Sequence, residues 1–308
     1  MSRLHIVTPE YPPVIGGIAS WAHAVAGACR DAGIEAVVHA RGPAEGATRI
    51  WGRSWARWGP AWAGLHLRPR LQSGDAVLAA TWPLAVHLLG AAPLAVAYHG
   101  SDLTRPPLVA GRDKVIHGAV NLPVSDYLGG LLAAPYRVLP CPIAVEAPLG
   151  GGEALLVVAR LTPLKGVDRA LRLGRRLGRP VIVVGDGPER AGLEALAAGL
   201  GVEARFLGAT RAIPWAEAWA LALLSRPDVD GSGQEGLGMV MLEAAARGIP
   251  SIGSRCGGIP EAASVVLDDP ERDEIPALPG PEAVQETLRQ KHGPDRCIEV
   301  LTTALGWR

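Results

Sequence analysis

Short apolar runs alternate along the whole chain with stretches in which apolar positions recur every three or four residues. The first pattern predicts buried strands and the second predicts helices laid against them. In the first half, strands are expected at Leu4–Thr8, Glu35–Ala40, Ala76–Ala80 and Leu94–Tyr98, with shorter candidates at Leu122–Ser125 and Tyr136–Leu139. A Pro/Gly loop, Pro9–Gly17, leads into a helix over Ile18–Ala32, with Gly33 placed as its C-cap. In the second half, strands at Ala154–Ala159, Val181–Gly185, Ala204–Leu207, Ala220–Ser225 and Ser251–Ile252 alternate with helices at Val167–Leu177, Glu189–Gly199, Trp215–Trp219 and Gly238–Arg247. Pro281–Leu301 reads as one or two terminal helices.

Between the two series, Pro140–Gly152 is dominated by Pro and Gly and keeps no periodicity, so the linker falls there. The expected domains are 1–147 and 148–308, with the terminal helices able to pack back on the first. Repeated βα units predict parallel sheets covered on both faces. Two sets in tandem predict an α/β protein of two Rossmann-like, doubly wound domains facing across a cleft, with ligands at the strand C-terminal ends.

Composition narrows the function classes. Lys+Arg and Asp+Glu both number 30, so no global basic field attracts nucleic acid. The four cysteines, Cys29, Cys141, Cys256 and Cys297, are widely spaced without a CxxC pair, which argues against a zinc site or a disulfide framework. No apolar signal core or membrane span is legible, so a cytoplasmic location is expected. The stretch Ile50–Leu71 is different: Arg53, Arg57, Arg68 and Arg70 alternate with Trp51, Trp55, Trp58 and Trp62, and no acid interrupts them. It suits peripheral contact with an anionic membrane on the inner face. A helix packing Trp inward, or part of an acceptor site, fits the same residues.

Five segments carry candidate chemistry. In Gln234–Glu261, Glu235 precedes Gly236, Leu237 and Gly238, and Glu243 follows inside the helix they open. Free amides and the helix dipole there favour a phosphate, although a solvated Glu before an amphipathic helix gives the same string. In Leu156–Gly166 a buried strand delivers Arg160 and Lys165, two cations suited to a leaving diphosphate or simply to the surface. Gly185 in VIVVGDGP permits close backbone approach to a ligand, as it permits an ordinary tight turn. Gly16 and Gly17 follow the first strand and precede a helix. His99 ends a strand in YHGSDL, placed either for a sugar hydroxyl or for a structural role.

Taken in order, PEYPPVIGGI, YHGSDL, VARLTPLKG, VVGDGPE, RFLG and QEGLGMVMLEAAARGIPSIGS with GGIPE resemble the retaining glycosyltransferases of the GT-B fold, family 4, also called glycosyl transferases group 1. The resemblance implies transfer from a nucleotide-diphosphate sugar, UDP- or GDP-linked, to a saccharide, lipid-linked or small-molecule acceptor. It implies that Arg160 and Lys165 hold the diphosphate and that Glu235 contacts the transferred sugar. It implies further that Glu243 binds the ribose, that Leu207 lines the base pocket, and that the amides of Gly236, Leu237 and Gly238 meet sugar and phosphate. By the same resemblance Gly16 and Gly17 are expected to approach the diphosphate and His99 to face the sugar. No metal or other cofactor is implied. The chain is shorter than is common for the family, mainly in its first half.

Rival readings are a metal-binding DxD at Asp228–Asp230, a dinucleotide oxidoreductase, a nucleotide-sugar epimerase and a non-catalytic nucleotide-sugar binder. The first loop does not fit GxGxxG, which weakens the oxidoreductase. No charged residue of the family pattern is missing, which weakens the binder.

Overall fold

The computed structural model describes residues 3–14, 16–41, 46–51, 59–104, 110–149, 151–227 and 235–307. In chain order the elements begin β1 (Leu4–Thr8), α1 (Gly17–Asp31), β2 (Ala36–Arg41), β3 (Thr48–Trp51), α2 (Gly59–Leu67), β4 (Ala76–Ala79), α3 (Trp82–Ala85) and β5 (Leu94–Tyr98). Then come α4 (Ser101–Thr104), α5 (Arg112–Gly118), β6 (Val120–Pro123), α6 (Asp126–Gly130), β7 (Ala154–Val158), α7 (Val167–Leu177), β8 (Val181–Val184) and α8 (Arg190–Leu200). The last are β9 (Ala204–Phe206), β10 (Ala218–Leu223), α9 (Met239–Ala246), β11 (Ser251–Ser254), α10 (Ile259–Ala262), β12 (Val265–Leu267), α11 (Pro281–His292) and α12 (Pro294–Leu305).

These form two compact units, Met1–Pro142 with Lys291–Arg308, and Ile143–Gln290. The first holds a sheet of order β3-β2-β1-β4-β5-β6 and the second a sheet of order β12-β11-β10-β7-β8-β9. Every strand pair is parallel. Renumbered from its own first strand, the second sheet has the same doubly wound order as the first.

The period-2 rule decides how the second unit is filled. On one face of the sheet Leu155, Val157, Val181, Val183, Ala220 and Ala222 pack with Ala170 and Leu171 of α7 and Leu193 of α8. On the other face Leu156, Ile182, Val184, Leu221 and Leu223 pack with Met241 and Ala244 of α9 and with Ile259. Both faces are covered, so the strands read as unbroken apolar runs. In the first unit α12 lies against α1, and the Trp307 indole donates to Gly74 O at 3.2 Å.

Two expected elements differ. Tyr136–Leu139 is not a strand: Tyr136 makes a single bridge to Asn121, because Pro135 and Pro140 bracket the segment and cannot donate to a ladder. Trp215–Trp219 is only one 3₁₀ turn, Trp215–Glu217, after which β10 begins two residues earlier than expected, with a register shift against β7 between Ala218 and Ala220. The edge strands β3 and β12 were not expected; each pairs with one neighbour only and is too short to show a period.

Candidate functional site

In a doubly wound sheet the loops after the two central strands leave in opposite directions and open a crevice at their C-terminal ends. In the second unit those strands are β7 and β10. The loop after β7 carries Arg160 and Lys165; the segment after β10 leads to Glu235. There Lys165 Nζ donates to Glu235 Oε2, an ion pair joining residues 70 apart in sequence. Both side chains are partly shielded, 30% exposed for Lys165 and 17% for Glu235. Ser225 Oγ, two residues beyond β10, lies 3.5 Å from the same carboxylate oxygen.

The Glu235 main chain is fixed independently. Gly258 N donates to its carbonyl at 2.9 Å. Gly257 has φ +56°, and a Cβ there would stand 2.1 Å from the same carbonyl oxygen, so only glycine fits. The Cys256 thiol is pushed up by burial while it interacts with the Glu235 main chain and feels Lys165 and Arg169. Arg169, one turn beyond Lys165, has a buried Nε with no partner among the described residues.

Arg160 is exposed and no side-chain partner is described for it. Its loop is braced by the GDG turn: Leu161 N donates to Asp186 O at 3.0 Å. A Cβ on Gly185 would stand 1.8 Å from Ala159 O. The close approach that Gly185 serves in this chain is therefore to the end of β7.

Gly236, Leu237 and Gly238 are buried and run into α9, whose N-cap is Gly238 at φ +91°. Glu243 lies within α9. Burial raises its carboxyl pKa, and the nearby Arg247 opposes that shift. Arg247 is itself engaged, Nη1 donating to Glu243 O at 2.7 Å and Nη2 pairing with Glu146 at 2.6 Å. Leu207 is 42% exposed just past the C-terminal end of β9, and its amide donates to Val183 O at 2.9 Å.

In the first unit Gly16 is the extended residue before α1, and a Cβ there would stand 2.8 Å from Glu10 Oε2. A carboxylate of the chain itself therefore lies beside the amides expected to meet an anion. His99 follows β5 and packs edge-on against Trp21 at 4.6 Å. Burial pushes its imidazole down to about 3, and Nε2 has no partner among the described residues. It is a neutral ring with one unused nitrogen.

Sequence reasoning left Asp102 out of the site. Its Oδ1 accepts from the amides of His99 and Gly100 at 3.0 and 2.9 Å, while Oδ2 is buried with no partner among the described residues. Burial raises its carboxyl to about 6. The Asp in YHGSDL was the available signal. Ser225 and Glu10 gave none, since only tertiary packing places them.

The DxD at Asp228–Asp230 lies outside the described residues, as do residues 52–58 of the Arg/Trp stretch. Of the rest, residues 50 and 51 end β3 and Gly59–Leu67 form α2, which buries Ala63 and Leu67 and exposes Trp62 and Leu65, at 54% and 69%. Arg68 and Arg70 follow on the surface. Among the described residues no His/Cys/Asp/Glu group could hold a metal, and no helix is long and apolar enough to cross a membrane. All four cysteines are free and buried.

The two parallel sheets with their covering helices are those of the GT-B glycosyltransferases. AviGT4, a glycosyltransferase involved in avilamycin A biosynthesis, superposes with a TM-score of 0.77 over 99% of this chain and 97% of its own, at 18% identity. HepE of Anabaena in complex with UDP gives 0.74 over 99% of both chains, at 15% identity. Residues 144–264 match the family described as "Glycosyl transferases group 1". A GDP-mannose-dependent α-(1-6)-phosphatidylinositol monomannoside mannosyltransferase of Mycolicibacterium smegmatis is 38% identical over 132 residues, 39% of this chain and 34% of that protein. A D-inositol 3-phosphate glycosyltransferase of Mycobacterium leprae is 35% identical over 131 residues, 39% of this chain and 30% of that protein. The matched part thus spans about a third of these relatives. The family match over residues 144–264 and the fold agree with the glycosyltransferase resemblance read from the sequence.

Proposed function

We propose that this chain transfers a glycosyl unit from a UDP- or GDP-linked sugar to an acceptor hydroxyl, with retention at the anomeric carbon and without a divalent metal. The observation that carries the reading is the meeting of Lys165 and Glu235 at the switch point of the second sheet, on the loop that also carries Arg160 and just ahead of α9. Cations at that point stabilise a diphosphate as it gains charge on departure. Glu235 accepts hydrogen bonds from the sugar. Glu243, shielded and without a described hydrogen-bond donor to its carboxylate, accepts from the ribose hydroxyls. Leu207 borders the base, and the main chain of Gly236, Leu237 and Gly238 meets sugar and phosphate.

In this reading the acceptor attacks from the leaving-group side of an oxocarbenium-like centre, and the departing phosphate takes its proton. His99, neutral at pH 7, can hydrogen-bond a hydroxyl but adds no positive charge. Gly16 and Gly17 present amides to an anion once Glu10 moves aside. A saccharide, lipid-linked or small-molecule acceptor fits this chemistry. The exposed Trp62 and Leu65 with Arg68 and Arg70 support contact with an anionic membrane.

The test is donor turnover with UDP- and GDP-sugars in the presence of EDTA, with anomeric configuration read by NMR. Release of the diphosphate from one donor series, lost in Lys165→Ala, is expected. Turnover of no donor, or turnover unchanged in Lys165→Ala, overturns the assignment.

A further inference from the structure

Lys165 is already engaged in this chain. Its ammonium is held by Glu235, while no side-chain partner is described for Arg160. Resting on the donor-site reading above, we propose that Glu235 competes with the diphosphate for Lys165. The site thereby favours a nucleotide that still carries its sugar over the spent nucleoside diphosphate, and helps to expel the latter.

A carboxylate 17% exposed needs a donor, because an unpaired shielded charge is costly. In a sugar-bearing donor the sugar hydroxyls supply it. Glu235 then turns to the sugar, and Lys165 rests on the diphosphate. Once the sugar leaves with the acceptor, those hydroxyls are gone. Lys165 is then the nearest strong donor to Glu235, and each return of the carboxylate withdraws one cation from the product.

The main chain favours an exchange of side-chain partners over a loop movement. The Glu235 carbonyl is held by Gly258 N and enclosed by Gly257. On the other flank Ser225 is anchored through its carbonyl, which accepts from Ser254 Oγ at 2.6 Å. Only the Glu235 and Lys165 side chains need to turn. The exchange breaks no covalent bond and moves no proton.

The experiment is calorimetric titration of UDP, GDP, UDP-glucose and GDP-mannose into wild type, Glu235→Gln, Lys165→Met and the double variant, each checked for an unchanged melting temperature. Glu235→Gln keeps the side-chain shape and removes the charge. It is expected to bind the bare diphosphate about three- to tenfold more tightly than wild type, the size of a partly exposed ion pair. The corresponding nucleotide sugar is expected to gain nothing. In the Lys165→Met background the gain disappears, which a general charge effect would not produce. Unchanged or weaker diphosphate binding in Glu235→Gln, or an equal gain without Lys165, overturns the competition alone. If wild type binds none of these nucleotides, the donor-site reading falls and the competition falls with it.

Discussion

The two units share one strand order and are held by different polar chemistry. All eight histidines, at positions 5, 23, 39, 66, 87, 99, 117 and 292, belong to the first unit and none to the second. In the first unit a buried relay crosses the sheet: His39 Nε2 lies 2.9 Å from His5 Nδ1, and His5 Nε2 lies 3.1 Å from Asp75 Oδ2. Burial works to raise the Asp75 carboxyl, but hydrogen bonds from Arg3, the Gln72 amide and His5 outweigh it and hold the carboxyl well below the usual range. The second unit uses partly exposed Arg–carboxylate pairs instead. Arg226 clamps Asp168 through two bonds of 2.6 Å, and Arg190 pairs with Glu194 at 2.9 Å. A doubly wound frame therefore fixes where ligands dock and leaves open what the surrounding polar groups are made of. The difference predicts that acid acts on the first unit and nucleotides on the second.

The largest effect expected is acid lability. Burial lowers His39 and His99 to about 3 and His292 to about 4, so the folded state resists protons that the unfolded chain binds at about 6.5. Stability is full above that value and falls as pH drops through the window toward the folded pKa values. The loss is about 1 kcal/mol per histidine per pH unit. Asp102, raised to about 6, works in the opposite sense: its contribution is full at acid pH and is lost as pH rises toward 6. Three histidines outweigh one carboxyl. Denaturant midpoints at pH 7.5, 6 and 5 should fall, with the earliest loss of amide protection in the first unit. A flat profile would break the comparison.

Next in size are changes at the donor site. Lys165→Ala and Glu243→Ala should each weaken nucleotide binding about 10- to 100-fold, the range of a lost charge-assisted contact. Glu235→Ala should chiefly lower turnover. None of the three should alter the pH profile of the first unit.

A smaller effect is expected from Asp168→Ala, which leaves the Arg226 guanidinium without its bidentate partner at the start of α7. With both groups about a third exposed, a loss of about 1 kcal/mol in chemical denaturation is expected. The smallest effect on stability, under about 0.5 kcal/mol, belongs to Trp62→Ser with Leu65→Ser. The same pair should cut sedimentation with anionic vesicles while leaving neutral vesicles unaffected. Unchanged sedimentation would remove the membrane from the account.

Much of this was readable from residues alone. Helix α7 has the bounds expected from VDRALRLGRRL because apolar and Arg positions alternate there at helical period. Strand β5 was equally legible as a continuous apolar run. The strands β3 and β12 were not, since short edge strands carry no period. At the candidate site, the spacing of Arg160, Lys165, Glu235 and Glu243 singled them out in sequence. What spacing could not reveal is that Lys165 and Glu235 already hold one another, or that Asp102 caps the turn at His99. The first comes from a meeting of residues 70 apart in sequence, and the second from the local fold of the turn after β5. At the Gly185 turn the sequence left a ligand approach and an ordinary tight turn open, and the structure adds that a Cβ there would meet the carbonyl at the end of β7.

The central claim is that the second unit binds a nucleoside diphosphate through Lys165 without a metal. The most direct measurement is thermal stabilisation by UDP, GDP, ADP and dTDP in Mg²⁺ and in EDTA, on wild type and Lys165→Ala. The account predicts that one diphosphate raises the melting temperature of wild type equally in both buffers and loses most of that effect in Lys165→Ala. Stabilisation by none of them, or only when Mg²⁺ is present, or equally in Lys165→Ala, would contradict it.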